Sequence, residues 1–391
     1  MWISLDQATF GQNRSNSGAL RSLPDYIREL DSLPIDSVKR LNLSRMNLDS
    51  FPTALLRFTE VEKIQLNNNR LSYWPAELAD FKKLKSLDMS NNFLSVGQLN
   101  VRNLKRLEKL VISSNRLTPD FKIKAGKRLK SVVIDNNRLK TLRIRSRKVR
   151  EITAMYNELE TLKCSAWFLN NVRKVNLADN KLTSLPDGLL RYRKLEKLVL
   201  SDNRFTTVPP EMARYNQLAG LLFYKNQIRE IPDFIFEFKA LKELDFHHNQ
   251  LKSINHPWEK LPQLEQLYLA HNQLTDLPES IGDLTYLRFL YVEDNRLTHL
   301  PASFVKLTQL ERLSMNKNAF IVFPAELLQL TQLQELDISE NDIESFPAAL
   351  CKLPELRLLL LNDNACKTEM LCERWMKSFD QQKQEVIRFQ Y

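Results

Sequence analysis

The stretch LEQLYLAHNQLTDLP, from Leu264 to Pro278, decides the fold, because its pattern recurs along most of the chain. Close copies begin at Val172 (VRKVNLADNKLTSLP), at Leu287 (LRFLYVEDNRLTHLP) and at Leu333 (LQELDISENDIESFP). Self-similarity at a fixed period of 20 to 50 residues is typical of chains built from stacked coils.

An asparagine marks the register of each copy, and Met46 holds that position in the first one. Twelve of the fourteen steps between these positions are 23 residues long, which predicts a stack of fifteen similar coils. The exceptions are 22 residues, from Asn115 to Asn137, and 20 residues, from Asn137 to Asn157. The register asparagines are Asn69, Asn92, Asn115, Asn137, Asn157, Asn180, Asn203, Asn226, Asn249, Asn272, Asn295, Asn318, Asn341 and Asn364.

Each part of the pattern LxxLxLxxNxL has a structural meaning. The LxL part alternates with period two and predicts a short strand whose leucines face a core. The asparagine amide can hydrogen-bond backbone groups of the adjacent coil, and the following proline fixes φ where the return segment starts. One unit is too small to bury its apolar face alone, so neighbouring units must stack.

This pattern resembles the leucine-rich repeat family over residues 38 to 366, and the 23-residue period is similar to that of intracellular and bacterial scaffold-type repeats. The resemblance implies an α/β fold class: a right-handed leucine-rich-repeat solenoid, a curved horseshoe with a concave parallel β-sheet and short helices or turns on the convex side. We expect an N-terminal cap over residues 1–37, with a short helix at LPDYIREL, then fifteen repeats over residues 38–365, and a C-terminal cap over residues 366–391.

Composition excludes several classes of function. The 391 residues are 43% hydrophobic and 27% charged, as in a folded domain, and the seven glycines are scattered, so no phosphate-cradling loop is present. Four cysteines without a CxxC pair argue against a zinc site or a disulfide scaffold. We expect Cys366 and Cys372 to be buried thiols, with a disulfide between them as the alternative. No signal peptide or transmembrane segment is predicted, which favours a cytoplasmic protein.

The return segments change character between residues 116 and 165. Proline stands six residues after the register position in nine units, but Gln98, Phe121, Arg143 and Lys163 replace it in four consecutive units. The two short steps fall in the same region. We therefore expect irregular, basic repeats around 116–165, with an extended strand at TLRIRSRKV instead of a helix.

Positive charge concentrates in the same block. Residues 121–150 contain twelve basic residues and one acidic residue, a balance of +11, whereas the rest of the chain has 45 basic and 46 acidic residues. A field of this kind attracts nucleic acid, anionic lipid or an acidic protein surface, although a solvated outer face is the alternative. The candidate anion-binding residues are Lys122, Lys124, Lys127, Arg128, Lys130, Arg143, Arg145, Arg147, Lys148 and Arg150.

Aromatic residues and histidines cluster at solvent-facing strand positions in repeats nine to twelve. Because neighbouring strands lie about 4.8 Å apart, residues of one column touch, and exposed tyrosines are typical of protein-binding hot spots. Cross-strand pairing that only stabilises the sheet is the alternative. The predicted partner-binding residues are Leu222, Tyr224, Asp245, His247, His248, Tyr268, His271, Phe289, Tyr291 and Asp294.

Catalytic and metal chemistry are poorly supported. His248, His271 and Asp294 share one column, but three ligands in a row span about 10 Å, too wide for one ion, which leaves a metal on the two histidines as an alternative. No nucleophile stands beside a base, so we expect no enzyme and no cofactor.

The leading hypothesis is a non-enzymatic scaffold that binds another protein on its concave face. The resemblance implies a small GTPase, a phosphatase or another signalling protein as partner. The second hypothesis is an anion-binding protein that acts through residues 121–150.

Overall fold

The LxL motifs form short parallel strands. The structure, a computed structural model, describes residues 22–146, 148–164 and 171–366. The chain divides into two compact units, Met1–Asn203 and Arg204–Tyr391. In most of the three-residue strands of both units the central residue is buried, as in Gln266–Tyr268, where Leu267 is fully buried and the two flanking residues are partly exposed.

The first unit begins with the predicted N-terminal helix, α1, Leu23–Asp31. The Ser22 hydroxyl caps this helix by accepting a hydrogen bond from the Asp25 N–H at 3.3 Å. Tyr26 and Leu30 are buried, and the Tyr26 hydroxyl accepts a hydrogen bond from the Asn42 N–H at 2.8 Å. The helix therefore covers the first strand, as a cap must; residues 1–21 of the predicted cap lie outside the described residues.

Twelve strands of the first unit form two parallel sheets. The main sheet has the order β1-β2-β3-β5-β7-β9-β11-β12, and the second sheet has the order β4-β6-β8-β10. Residues pair strictly in register, as Leu110 does with Val132. The strands are β1 Arg40–Asn42, β2 Lys63–Gln65, β3 Ser86–Asp88, β4 Gln98–Asn100, β5 Lys109–Val111, β6 Asp120–Lys124, β7 Ser131–Val133, β8 Thr141–Arg145, β9 Glu151–Thr153, β10 Thr161–Cys164, β11 Lys174–Asn176 and β12 Lys197–Val199.

The second sheet occupies the four units that lack proline. Its strands replace the short 3-10 helices that form the return elsewhere in the first unit, at Ile35–Ser37, Thr53–Arg57, Ala76–Asp80 and Leu189–Arg191. The extended strand predicted at TLRIRSRKV is confirmed as β8. Phe121, Ile123, Leu142 and Ile144 point inward and are fully buried, so the two sheets of this block enclose one core.

The second unit contains only the regular type of repeat within its described residues, 204–366. Its strands are parallel in sequence order: β13 Gly220–Leu222, β14 Glu243–Asp245, β15 Gln266–Tyr268, β16 Phe289–Tyr291, β17 Arg312–Ser314, β18 Glu335–Asp337 and β19 Leu358–Leu360. Each return is a 3-10 helix, at Pro210–Arg214, Asp233–Glu237, Trp258–Lys260, Glu279–Asp283, Ala302–Lys306, Ala325–Gln329 and Ala348–Lys352.

The register asparagines link each coil to the one before it. The Asn272 amide donates to the carbonyls of Phe246, Leu269 and Ala270 at 2.9 to 3.0 Å. Its oxygen accepts a hydrogen bond from the Leu251 N–H at 3.0 Å. Each asparagine thereby satisfies backbone groups that tight stacking removes from water.

The structure confirms the leucine-rich-repeat fold class. None of the helices in the described ranges is long and apolar enough to cross a membrane. Apart from Cys366, the predicted C-terminal cap over 366–391 lies outside the described residues, and so does Cys372. Cys366 is only partly buried, so the expected full burial is wrong for this residue, and the burial of Cys372 remains a prediction. Cys351, in the last described return segment, is disulfide-bonded.

Candidate functional site

Outward side chains of β13 to β16, with those of the turn after each strand, form one continuous surface, which we call the strand face. Leu222, Asp245, Tyr268 and Tyr291 pair in register across the four strands and form its central column. The column predicted from the 23-residue period is therefore a physical row of neighbours.

Two tyrosines form a parallel stack in this column. The rings of Tyr268 and Tyr291 lie 5.0 Å apart with an interplanar angle of 3°. Both side chains are partly exposed, and the Tyr268 hydroxyl donates to Gln266 Oε1 at 2.9 Å. Burial, reinforced by Tyr291 and nearby carboxylates, raises the pKa of Tyr268 to about 12, so the Tyr268 hydroxyl keeps its proton at neutral pH.

Three histidines extend the aromatic surface beside the stack. The imidazoles of His248 and His271 stack at 3.8 Å, and Tyr224 lies 4.3 Å from His247, ring to ring. His271 Nδ1 lies 2.5 Å from Asp294 Oδ2. Burial and the two neighbouring histidines lower the pKa of His248, which disfavours the charged form of its imidazole.

A left-handed backbone holds two of these histidines in place. His248 and His271 have φ angles of 54° and 50°, and Asp294 has 51°, because the residue before each register asparagine turns the chain sharply. Asparagine and aspartate tolerate this conformation well and occupy many of the equivalent positions, whereas histidine is less common there. The side chains at this position thus have a fixed orientation.

The predicted exposure of one site residue is wrong. Asp245 was expected to face solvent, but it is buried, with a relative exposure of 8%. Its Oδ1 accepts a hydrogen bond from the backbone N–H of His247 at 2.9 Å, and the flanking Tyr268 and His247 cover it. Asp245 therefore supports the turn beneath the strand face instead of forming part of its outer surface.

Sequence reasoning missed Glu293 as a site residue. Burial raises the pKa of its carboxyl, and the imidazoles of His247 and His271 partly counteract that effect. Glu293 Oε2 is a buried atom without a hydrogen-bond partner. His247 Nδ1 is also buried and makes no hydrogen bond, although Asp245 Oδ1 lies 3.4 Å away as an ion-pair contact. The sequence signal is Ala270, whose methyl group stands between Glu293 and His247 in successive coils and leaves room above it.

Phe289 flanks the tyrosine stack in the neighbouring column. The guanidinium carbons of Arg288 and Arg312 lie 5.3 and 5.4 Å from its ring centroid, within cation–π range. Arg288 also donates to both carboxylate oxygens of Glu311, at 2.7 and 3.0 Å. This edge of the strand face is thus already occupied by arginines of the chain itself.

The basic candidates fall into two groups. Lys122 and Lys124 on β6, with Arg143 and Arg145 on β8, project from the second sheet. Lys127, Arg128, Lys130, Lys148 and Arg150 lie in the connections back to the main sheet, where Lys130 pairs with Glu108 at 2.7 Å. Arg147 lies outside the described residues.

A metal centre is not found among the described residues, in which no group of three or more histidine, cysteine or acidic side chains could hold an ion. The strand face therefore offers stacked rings, imidazoles and carboxylates on a continuous surface, a set suited to contact with another macromolecule.

The fold defines the class of protein: a solenoid of short parallel strands with turn-like returns. Models of the leucine-rich repeat match residues 216–274 and 194–215, and a leucine-rich repeat region model matches residues 247–386. The chain belongs to the leucine-rich repeat family. No curated protein is significantly similar to it in sequence.

Solved structures show the same fold at low sequence identity. A leucine-rich repeat protein from Leptospira interrogans is 24% identical, with a TM-score of 0.74 over 92% of this chain and 97% of its own. An internalin from Listeria monocytogenes is 19% identical, with a TM-score of 0.63 over 88% and 95% of the two chains. The plant peptide hormone receptor RGFR1, solved with RGF2, is 23% identical, with a TM-score of 0.60 over 85% of this chain and 61% of the receptor.

Proposed function

We propose that this protein is a non-enzymatic scaffold that binds a partner protein through the strand face of its second unit. Leucine-rich repeat folds generally mediate protein–protein interaction, because stacked repeats present an extended binding surface. The observation that carries the proposal is the Tyr268–Tyr291 stack, which lies on the outward side of the sheet and stays partly exposed.

The stack has the properties of an interface centre. Two parallel rings offer a rigid apolar surface that loses little conformational entropy on binding, and tyrosine is enriched among hot-spot residues. Tyr224, His247 and His271 surround the rings with groups that both donate and accept hydrogen bonds. A partner that covers this surface would bury aromatic area at its centre and meet polar groups at its edge.

Unsatisfied polar atoms also favour a functional surface. Leaving Glu293 Oε2 and His247 Nδ1 without partners costs about 1 to 3 kcal/mol for each atom. A sheet selected only for stability would place apolar or paired side chains there, as most buried polar groups are paired in folded proteins. Such a cost is typical of sites where binding matters more than stability.

Affinity capture with matched variants tests the proposal. We expect Tyr268→Ala with Tyr291→Ala to reduce recovery of the main partner roughly thirtyfold, since an interface-centre tyrosine contributes about 2 kcal/mol. Tyr73→Ala with Tyr286→Ala is the control, because these tyrosines are 45% and 59% exposed and lie outside the strand face. The bait should be the whole chain, and the readout is the amount of each captured protein.

Thermal unfolding of the same variants separates binding from folding. Both tyrosines of the stack point away from the leucine core, so the double variant should melt within a few degrees of the unchanged protein. If it keeps the partner but melts much lower, the stack is structural and the proposal fails.

The resemblance of the repeats suggests the kind of partner, and the cysteines bear on the compartment. We propose a small GTPase, a phosphatase or another signalling protein as partner, on the resemblance of the repeats alone. The predicted cytoplasmic location is opposed by the disulfide of Cys351, a bond typical of oxidising compartments. Counting the reactive thiols of freshly extracted protein, with and without reductant, decides between the two environments.

A further inference from the structure

The second sheet places four basic side chains on one flat outward face, which we call the basic sheet face. Lys122 of β6 pairs in register with Arg143 of β8, and Lys124 pairs with Arg145. Neighbouring strands lie about 4.8 Å apart and alternate residues about 6.6 Å apart, so the four side chains start from the corners of a small rectangle.

These cations are not neutralised within the described part of the chain. Lys122, Arg143 and Arg145 are exposed, Lys124 is partly exposed, and none of the four forms an ion pair there. The only acidic side chain of β4, β6 and β8 is Asp120, at the end of its strand, which accepts a hydrogen bond from the Thr141 hydroxyl at 2.6 Å.

Three nearby carboxylates, those of Asp135, Glu108 and Glu158, are engaged elsewhere. Asp135, the one acidic residue between positions 121 and 150, follows a strand of the main sheet, and its Oδ1 accepts a hydrogen bond from the Met155 N–H at 2.9 Å. Glu108 pairs with Lys130 and Glu158 pairs with Lys181, both across neighbouring coils of the chain. The positive potential of the basic sheet face therefore reaches solvent.

We propose that the basic sheet face docks the protein onto an anionic phospholipid membrane surface. The contact is purely electrostatic and reversible, because the outward positions of β4, β6 and β8 are Gln98, Asn100, Asp120, Thr141 and the four cations, without an apolar side chain to insert. Charge complementarity selects anionic over zwitterionic headgroups, and each lysine or arginine near such a surface strengthens binding about fivefold.

The two-dimensional arrangement of the four cations favours a membrane over a chain polymer. A planar array of headgroups meets all four cations at once, whereas a single polyanion lying along one column meets only Lys122 and Arg143, or Lys124 and Arg145. Single-stranded nucleic acid is bound in basic grooves with aromatic side chains for its bases, and the outward positions of β4, β6 and β8 carry no aromatic residue.

Vesicle co-sedimentation tests the docking. The whole protein should bind vesicles of phosphatidylcholine with phosphatidylserine and ignore vesicles of phosphatidylcholine alone. Replacing Lys122, Lys124, Arg143 and Arg145 with Gln should weaken binding more than about a hundredfold, and raising the salt toward about 1 M, where screening is nearly complete, should do the same.

A charge-matched control makes the result specific. Lys194, Arg204, Lys252 and Arg296 are exposed and lie outside the basic sheet face, so their replacement with Gln removes the same net charge and should leave vesicle binding near the original value. The variant with both tyrosines of the strand face changed to alanine should also bind vesicles normally, since the two surfaces lie on different sheets.

Several outcomes would overturn the membrane proposal. The first is that the unchanged protein does not bind phosphatidylserine vesicles. The second is that the two quadruple variants lose equal amounts of vesicle binding. The third is that heparin or duplex DNA releases the protein from the vesicles when its concentration, counted in negative charges, is lower than that of the lipid. If the quadruple variant of the basic sheet face melts early, Lys122→Gln with Arg143→Gln is measured instead. This double variant should lose about twentyfold in binding, and unchanged binding would refute the proposal.

Discussion

The regular repeats of the second unit and the block between residues 98 and 164 share one strand pattern but return by different routes. In the regular repeats, proline precedes a 3-10 helix, as Pro278 does before Glu279–Asp283. In the block, no proline stands at that position, and the return is a strand such as Thr141–Arg145. Proline lacks the N–H that a sheet ladder needs, so one residue type per coil decides between a turn and a second sheet.

The same contrast bears on the two short steps of the repeat, which occur in the coils with β6 and β8, whereas the coils with β4 and β10 keep 23 residues. An extended segment advances about 3.3 Å per residue and a 3-10 helix about 2.0 Å, so a strand covers the return distance with fewer residues. The steps of 22 and 20 residues fall where β6 and β8 form the return. A strand also directs every second side chain outward, which is how the block turns its basic composition into a cationic surface.

The largest expected effect tests whether the block has a second sheet at all. Ile144→Asp should lower the free energy of unfolding by about 4 kcal/mol or more, because Ile144 is fully buried on the inner side of β8. Arg143→Asp, one residue earlier on the exposed side, should change it by less than about 0.5 kcal/mol. Urea unfolding followed by circular dichroism measures both, and similar values for the two variants would contradict the alternation of β8.

A smaller effect compares how tightly the two kinds of return stack. A Cβ atom on Gly282 would lie 2.3 Å from the Ser303 carbonyl oxygen, so Gly282→Ala should cost about 1 to 3 kcal/mol. At Gly126, in the block, the nearest atom would be the Leu104 carbonyl oxygen at 3.4 Å, and Gly126→Ala should be neutral within about 0.5 kcal/mol. Thermal unfolding of the two variants checks this, and a larger loss at Gly126 would reverse the comparison.

The smallest expected effect is a difference in pH dependence of the unfolding stability between a variant of the strand face and a variant of the basic sheet face. Burial raises the pKa of Glu293 above its ordinary value of 4.5, so the folded protein holds this proton to higher pH than the unfolded chain. The stability that this group contributes is complete below pH 4.5 and is lost as the pH rises through the folded pKa. Glu293→Gln should therefore gain stability relative to the unchanged protein as the pH rises above 4.5.

A cationic variant provides the contrast for this titration. Lysine remains charged over the same range, so the unfolding midpoint of Lys122→Gln should differ from that of the unchanged protein by a constant amount. Urea midpoints at several pH values test both variants. If the difference in urea midpoint between Glu293→Gln and the unchanged protein stays constant or narrows as the pH rises, the carboxyl of Glu293 is not held protonated.

The period alone determined most of the fold in advance. A 23-residue register aligns Leu222, Tyr268 and Tyr291 without knowledge of any contact, because stacked coils place equal positions side by side. The second sheet was only partly predictable. The alternation at Thr141–Arg145 was visible, but the three-residue strand Gln98–Asn100 is too short for a periodic signal and depends on pairing with Lys122 and its neighbours.

The sequence predicted which strand positions form the candidate site, but it did not predict how deeply their side chains are buried. Column assignment placed Asp245 on the outer side of the sheet, yet neighbouring side chains bury it, and they largely enclose Glu293, which the sequence did not indicate as a site residue. Burial of this kind depends on the sizes of residues in adjacent coils, above all the small Ala270. Because the sizes of several neighbouring residues together determine burial, an analysis of one column at a time does not predict it.

The hydrogen bonds of the register asparagines impose an order, from the N-terminus onward, in which the coils are completed during synthesis. Asn69 donates to the Leu43 carbonyl and accepts from the Leu48 N–H, both in the coil before its own, and later register asparagines repeat this arrangement. During synthesis a coil is therefore complete only after the next asparagine has emerged from the ribosome. At roughly 5 to 20 residues per second, each coil waits roughly one to five seconds for the amide that closes its turn. A nascent chain carries one unfinished coil at its growing end throughout translation of the repeats.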